Sequence, residues 1–169
     1  MQAVPRSRML GRMDLIALEE IRQTKYRYLR CLDLKRWDDF ADTLTGDAVA
    51  AYDNPVAGDP LRFDGREAIV GYMRASLGPG VITTHLAGHP EIEIDGDDAR
   101  GTWCLDDTVL IPRHRLMIRG SAYYEDTYRR CSDGRWRISG TGYRRTYEYT
   151  VSLDDLPSLR FTANRWAAS

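Results

Sequence analysis

A histidine with an unperturbed pKa of about 6.5 can both take and return a proton near neutral pH. The sequence has 3 histidines, and their settings differ. His114 lies in the turn-like Pro112-Arg113-His114-Arg115, and His89 directly precedes Pro90, which marks a bend. His85 stands in Thr83-Thr84-His85-Leu86-Ala87-Gly88, a strand-like stretch with few other polar groups. A histidine so placed is either a satisfied core residue or a proton-transfer group, and its own segment leaves both readings open.

Carboxylates are the natural partners for such a group. Ala99, Gly101, Trp103, Leu105, Asp107 and Val109 alternate into an apolar face that carries one acid. Arg100, Thr102, Cys104, Asp106 and Thr108 form the opposite, polar face. That register turns Asp107 inward, where an unpaired carboxylate costs several kcal/mol. An arginine partner, a place at the strand's exposed end and a place in a site all fit the pattern. Asp33 closes the first helical pattern, and Tyr28 lies about 140° around the helix from it. Both reach one cavity only if the cavity is wide or the helix ends near Asp33. Capping of the next helix by Asp33 and plain core roles for Tyr28 and Tyr52 are equally consistent.

The elements that must position these residues follow from periodicity and turn chemistry. Asp14 is a suitable N-cap for a helix to about Leu32, with Leu18, Ile21, Leu29 and Leu32 at helical spacing. A short second helix is expected over Trp37–Leu44, a strand over Ala48–Tyr52, and a third helix from Gly65 through Met73 to about Gly78-Pro79-Gly80. The chain then turns to long strands, Val81–Ile94, Ala99–Ile111, Leu116–Cys131 and Arg135–Tyr149. Asp95-Gly96-Asp97-Asp98 and Ser132-Asp133-Gly134 separate them. Helices first and a meander afterwards imply one α+β domain. Glycines at 101, 120, 140 and 142 favour a strongly curled sheet, and helices on its concave side would enclose an apolar pocket.

The bulk properties exclude several classes. The chain has 169 residues, 43% hydrophobic and 29% charged, as a single globular domain should. A net charge of −1, with arginines scattered among acids, gives no basis for nucleic-acid or anionic-membrane partners. No apolar run suffices to span a bilayer or to serve as a signal peptide. The 3 cysteines, Cys31, Cys104 and Cys131, have neither metal spacing nor an even count, so the cytoplasm is the expected compartment. Residues 1–13 read as a flexible arm, 14–150 as the domain and 151–169 as a tail.

The stretch from Ile21 through Asp33, followed by Lys35-Arg36-Trp37, resembles the opening of the SnoaL-like branch of the nuclear transport factor 2-like superfamily. The similarity continues through His85, Pro90–Asp95, Gly101–Asp107, Arg119–Tyr124 and Thr141–Glu148, covering residues 14–150. The resemblance implies a cone-shaped barrel: a strongly curved mixed sheet with three helices from the N-terminal half enclosing a pocket. Within the branch it is nearest to bile-acid 7α-dehydratases and more distant from scytalone dehydratase. It places an active site on Tyr28, Asp33, His85 and Asp107, with Tyr52 as a further pocket residue. Trp103, Leu105 and Tyr143 are expected to contact substrate. The tail from Val151 and the Pro-, Gly- and Asp-rich Asn54–Arg62 show no such similarity, so the substrate stays open.

What the resemblance implies chemically is a cofactor-independent, metal-free dehydratase eliminating water from a hydrophobic cyclic hydroxy-ketone, such as a steroid or polyketide. His85 would serve as general base or acid, oriented by Asp107 or Asp33, with Tyr28 and Tyr52 donating hydrogen bonds to developing charge. A polyketide cyclase, a ketosteroid-type isomerase and a non-catalytic small-molecule binding module are the alternatives. The Asp–Arg–Asp water-activating set of a limonene-epoxide hydrolase has no evident place in the sequence. A homodimer or homotrimer formed through the sheet is expected, and Tyr123, Tyr124 and Tyr128 suit either such an interface or the core.

Overall fold

A computed structural model describes residues 14–53 and 58–167. The expected arm, residues 1–13, and part of the Asn54–Arg62 loop lie outside the described residues. Asp14 accepts a hydrogen bond from the Ala17 N–H at 3.0 Å and opens α1, Leu15–Asp33. Ala17, Ile21, Thr24, Tyr28 and Leu32 recur at three and four residues and form its buried face. The helix ends in a Schellman turn: Arg36 N–H reaches the Cys31 carbonyl at 2.8 Å and Lys35 N–H the Leu32 carbonyl at 3.2 Å. Lys35 occupies the left-handed position of that turn, with φ 57°.

Next come α2, Trp37–Asp42, and β1, Leu44–Tyr52, so Leu44 begins a strand instead of finishing a helix. The Thr43 hydroxyl caps back onto the Phe40 carbonyl at 2.6 Å and closes α2 early. β2, Leu61–Asp64, is a strand the sequence pattern did not announce. α3, Arg66–Ser76, leads to β3, Ile82–Asp95; β4, Asp98–Ile111; β5, Leu116–Arg130; and β6, Trp136–Ser152. Strand β6 thus runs past residue 150, and Leu153 just beyond it is buried.

The six strands form one mixed sheet in the order β2-β1-β6-β5-β4-β3. Among the described strands only the β1–β6 pairing is parallel. Among the described residues the sheet is not closed, since β2 and β3 each lack a neighbour on one side, so the expected barrel is an open, curled cone wall. The three helices supply one side of the core, where Ile21, Leu32, Phe40 and Ile69 meet Trp103, Leu105, Tyr124 and Ile138. Tyr124 and Tyr128 belong to that core and only Tyr123 faces outward, because period-2 alternation sends even-numbered β5 residues inward. The expected aromatic run is therefore divided between two faces.

Candidate active site

The strand register decides which polar groups can meet. His85 of β3 is the direct cross-strand partner of Asp107 on β4, and Asp107 is opposite Gly120 on β5. Odd-numbered β4 residues from Ala99 to Asp107 are buried, so Asp107 points inward. His85 and Thr83 are more protected than their neighbours Thr84 and Leu86 and share the inner side of β3. There they meet the C-terminal end of α1.

Asp33, the last residue of α1, accepts three hydrogen bonds from β3. The Thr83 hydroxyl donates to Oδ1 at 2.8 Å, the His85 backbone N–H to Oδ2 at 2.9 Å, and His85 Nδ1 lies 2.7 Å from Oδ1. An ionised carboxylate only accepts, so the proton between them belongs to Nδ1 and the Nε2 lone pair is left free. The backbone contact fixes the carboxylate and the ring contact fixes the ring. The side chains of Asp33 and His85 keep 20% and 9% of their accessibility, so the pair is shielded without being sealed.

Asp107 has a different partner. Arg145 of β6 grips both of its oxygens, Nη1 on Oδ1 and Nη2 on Oδ2, and Arg145 Nε lies 3.1 Å from Glu148. Burial works against the guanidinium's charge, but the Asp107 hydrogen bonds and charge outweigh it and hold Arg145 above the ordinary arginine range. Such a bidentate pair answers the cost of burying Asp107, which is only 4% exposed. The reach of Arg145 depends on two backbone features. A bulge between Ser121 and Ala122 in the β5–β6 ladder sets Arg145 opposite Ala122 and Tyr147 opposite Ser121. Gly120 then leaves the gap the guanidinium crosses, since a Cβ there would stand 2.8 Å from Arg145 Nη1 and 2.9 Å from the Tyr147 carbonyl oxygen. The sequence pattern assigned Arg145 no role in the site and Gly120 only one in curling the sheet; the bulge hides the side of β6 on which Arg145 falls.

The tyrosines form a band beyond this pair. The Tyr143 ring centroid lies 5.1 Å from the Arg145 guanidinium, 5.6 Å from the Tyr52 ring and 5.4 Å from the Tyr124 ring. Tyr52 and Tyr28 share a hydroxyl–hydroxyl hydrogen bond at 3.0 Å. Burial raises Tyr143 to about 12 and lifts Tyr28 and Tyr52 well above the ordinary phenol value, so all three stay protonated donors. The structure thus joins Asp33 to His85, sets Asp107 beside His85 in register, and places Tyr28 with Tyr52. Among the described contacts, Tyr28 bonds to neither His85 nor Asp33. Leu105 is in the core, and Trp103 is fully buried with its N–H donated to the Tyr128 hydroxyl at 2.9 Å.

An open, curled mixed sheet backed by three helices, with polar side chains gathered on its inner side, is the nuclear transport factor 2-like fold. Residues 13–141 match the SnoaL-like domain family, and the chain belongs to it. A scytalone dehydratase-like protein of Novosphingobium aromaticivorans superposes with a TM-score of 0.71 at 18% identity, over 80% of this chain and 87% of that one. A hexachlorocyclohexane dehydrochlorinase, LinA type 3, of Novosphingobium barchaimii gives 0.72 at 18% identity, over 89% and 97%. The Rv3472 protein of Mycobacterium tuberculosis, of unknown function, gives 0.67 at 24% identity, over 86% and 78%. At these identities the likeness speaks for the fold.

Proposed function

We propose that the protein is a cofactor-independent lyase that eliminates water from a hydrophobic cyclic hydroxy-ketone, with His85 as the proton-transfer group. The observation that carries this reading is the Asp33-anchored imidazole, whose Nδ1 is committed at 2.7 Å and whose Nε2 has no partner among the described contacts. The dehydratase and dehydrochlorinase among the structural neighbours are both named for eliminations and lend the reading support.

In the proposed reaction, Nε2 takes the proton from the carbon beside the substrate carbonyl. The C–H electron pair moves into the new C=C bond through an enolate, and the β C–O bond breaks with its electrons leaving on the hydroxyl. The imidazolium then returns its proton to that hydroxide, giving one enone and one water. Asp33 keeps the ring oriented and stabilises its charged form between the two transfers. Asp107 is engaged by Arg145 on both oxygens and does not compete for the imidazole. The Tyr143 hydroxyl, and whichever of Tyr28 and Tyr52 accepts in their mutual hydrogen bond, are donors suited to the enolate oxygen or the leaving group. A substrate of apolar, polycyclic or aromatic character, steroid or polyketide, fits the band of rings around Tyr143.

The test is product analysis with a panel of cyclic β-hydroxy-ketones. Loss of one water per turnover, abolished by His85→Gln, supports the proposal. A product of unchanged mass points instead to cyclisation or isomerisation by the same base. Tight binding of a ligand that emerges intact, with turnover of no panel member, refutes catalysis and leaves a binding module.

A further inference from the structure

The left-handed position that ends a helix in a Schellman turn is normally taken by glycine, which has no Cβ to strain. Here Lys35 holds it at φ 57°, directly after the helix that carries Asp33. A strained non-glycine backbone persists where its side chain has a use. Lys35 is half-buried, and its Nζ lies 3.4 Å from the Thr83 hydroxyl oxygen. Lysine only donates, so the Thr83 proton is left for Asp33 Oδ1, 2.8 Å away. The resulting chain runs from Lys35 through Thr83 and Asp33 to His85 Nδ1. Above the ammonium sits the indole of Trp166, its ring centroid 5.6 Å from Nζ, with the Arg165 guanidinium 5.3 Å from the same ring. The Trp166 backbone is held by a local turn, its main-chain N–H donating to Asn164 Oδ1 at 2.9 Å. It belongs to the C-terminal segment, beyond the residues that match the family.

We propose that Lys35 is a positioning residue for the Asp33–His85 pair, its charge covered by Trp166 of the C-terminal segment so that the tail sets the protonation of the imidazole. The groups facing His85 are Asp33 at the end of α1, Thr83 on its own strand, and Asp107 on β4, itself neutralised by Arg145 of β6. Beyond that balanced pair, Lys35 is a cation that reaches Asp33 through the Thr83 hydroxyl. Burial lowers the Lys35 pKa, and the nearby Asp33 charge pulls it part of the way back. A cation held near the imidazole disfavours the imidazolium and keeps Nε2 available as a base, and the indole strengthens the effect by excluding water. The proposal rests on His85 as the proton-transfer group.

The test reads the His85 ring by NMR titration of the full chain, which has 3 histidines and needs only His85→Gln for assignment. Lys35→Met removes the charge and keeps the aliphatic stem. Lys35→Gly removes the side chain and suits the left-handed backbone. Both are expected to move the His85 midpoint upward by about half a pH unit or more. Trp166→Ala is expected to move it the same way by less. The thermal midpoint of Lys35→Gly should hold or rise, because the backbone strain is relieved. An unmoved His85 midpoint in folded Lys35→Met overturns the proposal, and a shift with Lys35→Met but none with Trp166→Ala overturns the role of the tail. These readings need no substrate. Failure of the wild-type protein to dehydrate any ketone would therefore sink the lyase reading and leave the Lys35 result standing.

Discussion

Two polar clusters lie on the inner side of the same sheet, and they are built to opposite ends. In one, Lys25 Nζ lies 2.7 Å from Asp126 Oδ2, both side chains 0% exposed, and the ammonium sits 3.3 Å from the Tyr124 ring centroid. Asp126 also accepts from the Tyr128 hydroxyl and the Thr141 hydroxyl, each at 2.8 Å, and Tyr128 accepts from Trp103 Nε1. Asp126 has spent its acceptors on fixed neighbours, and none of the cluster reaches solvent. In the other, Asp33 is equally well bonded, yet it holds an imidazole whose second nitrogen has no described partner and whose side chain keeps some accessibility. Burial of charge alone therefore does not mark a site. What separates framework from candidate chemistry is a nitrogen with no described partner on a side chain able to take and return a proton.

The sharpest way to break the comparison is to unpair the closed cluster. Asp126→Ala strands the Lys25 charge in the core and should cost about 3–5 kcal/mol of stability. Urea unfolding reads it, and a loss under 1 kcal/mol would show the pair to be less buried than described. His85→Gln should do the reverse, lowering turnover about 10²-fold or more with the unfolding midpoint nearly unchanged. Gly120→Ala falls between, because its methyl group would meet the Arg145 guanidinium and the Tyr147 carbonyl. A stability loss of about 1–3 kcal/mol is expected, with a roughly 10-fold loss of turnover as Arg145 leaves Asp107. Kinetics paired with denaturation would show whether the two losses travel together.

The smallest effect at neutral pH concerns the tyrosines that link the clusters. Burial raises Tyr143 to about 12 and pushes Tyr28, Tyr52, Tyr124 and Tyr128 up as well. Their unfolded counterparts ionise near pH 10. The folded state therefore binds more protons above that pH, and the stability these groups contribute, complete below pH 10, drains away as pH climbs toward about 12. Denaturant midpoints from pH 8 to 11 should stay level and then fall beyond 10. A level profile throughout would mean the phenols are not buried.

Much of this was legible in advance, for reasons that differ by residue. Strands β3 to β6 were bounded closely because alternation is strong and Asp-Gly turns interrupt it. The inward turn of Asp107 followed from the same alternation. The short strand β2 was missed because it follows directly on the Pro-, Gly- and Asp-rich Asn54–Arg62, although Leu61 and Phe63 alternate with exposed Arg62 and Asp64. Asp126 lies on the inward series Ala122, Tyr124, Asp126, Tyr128, so its burial was written in the sequence and went unread. Which carboxylate takes His85 was not legible, since Asp33 and His85 are 52 residues apart and meet only through the packing of α1 on β3. Arg145 was hidden more deeply, because a one-residue bulge flips the side of every residue past it.

The central claim is that His85, held by Asp33, removes a proton from carbon beside a carbonyl. Exchange of the α-hydrogens of a bound cyclic ketone in D₂O, followed by NMR, tests that step without requiring a leaving group. The expected result is exchange well above the buffer rate with wild-type protein and at the buffer rate with His85→Gln. Undiminished exchange in His85→Gln, or none with wild-type protein saturated by the ketone, would contradict it.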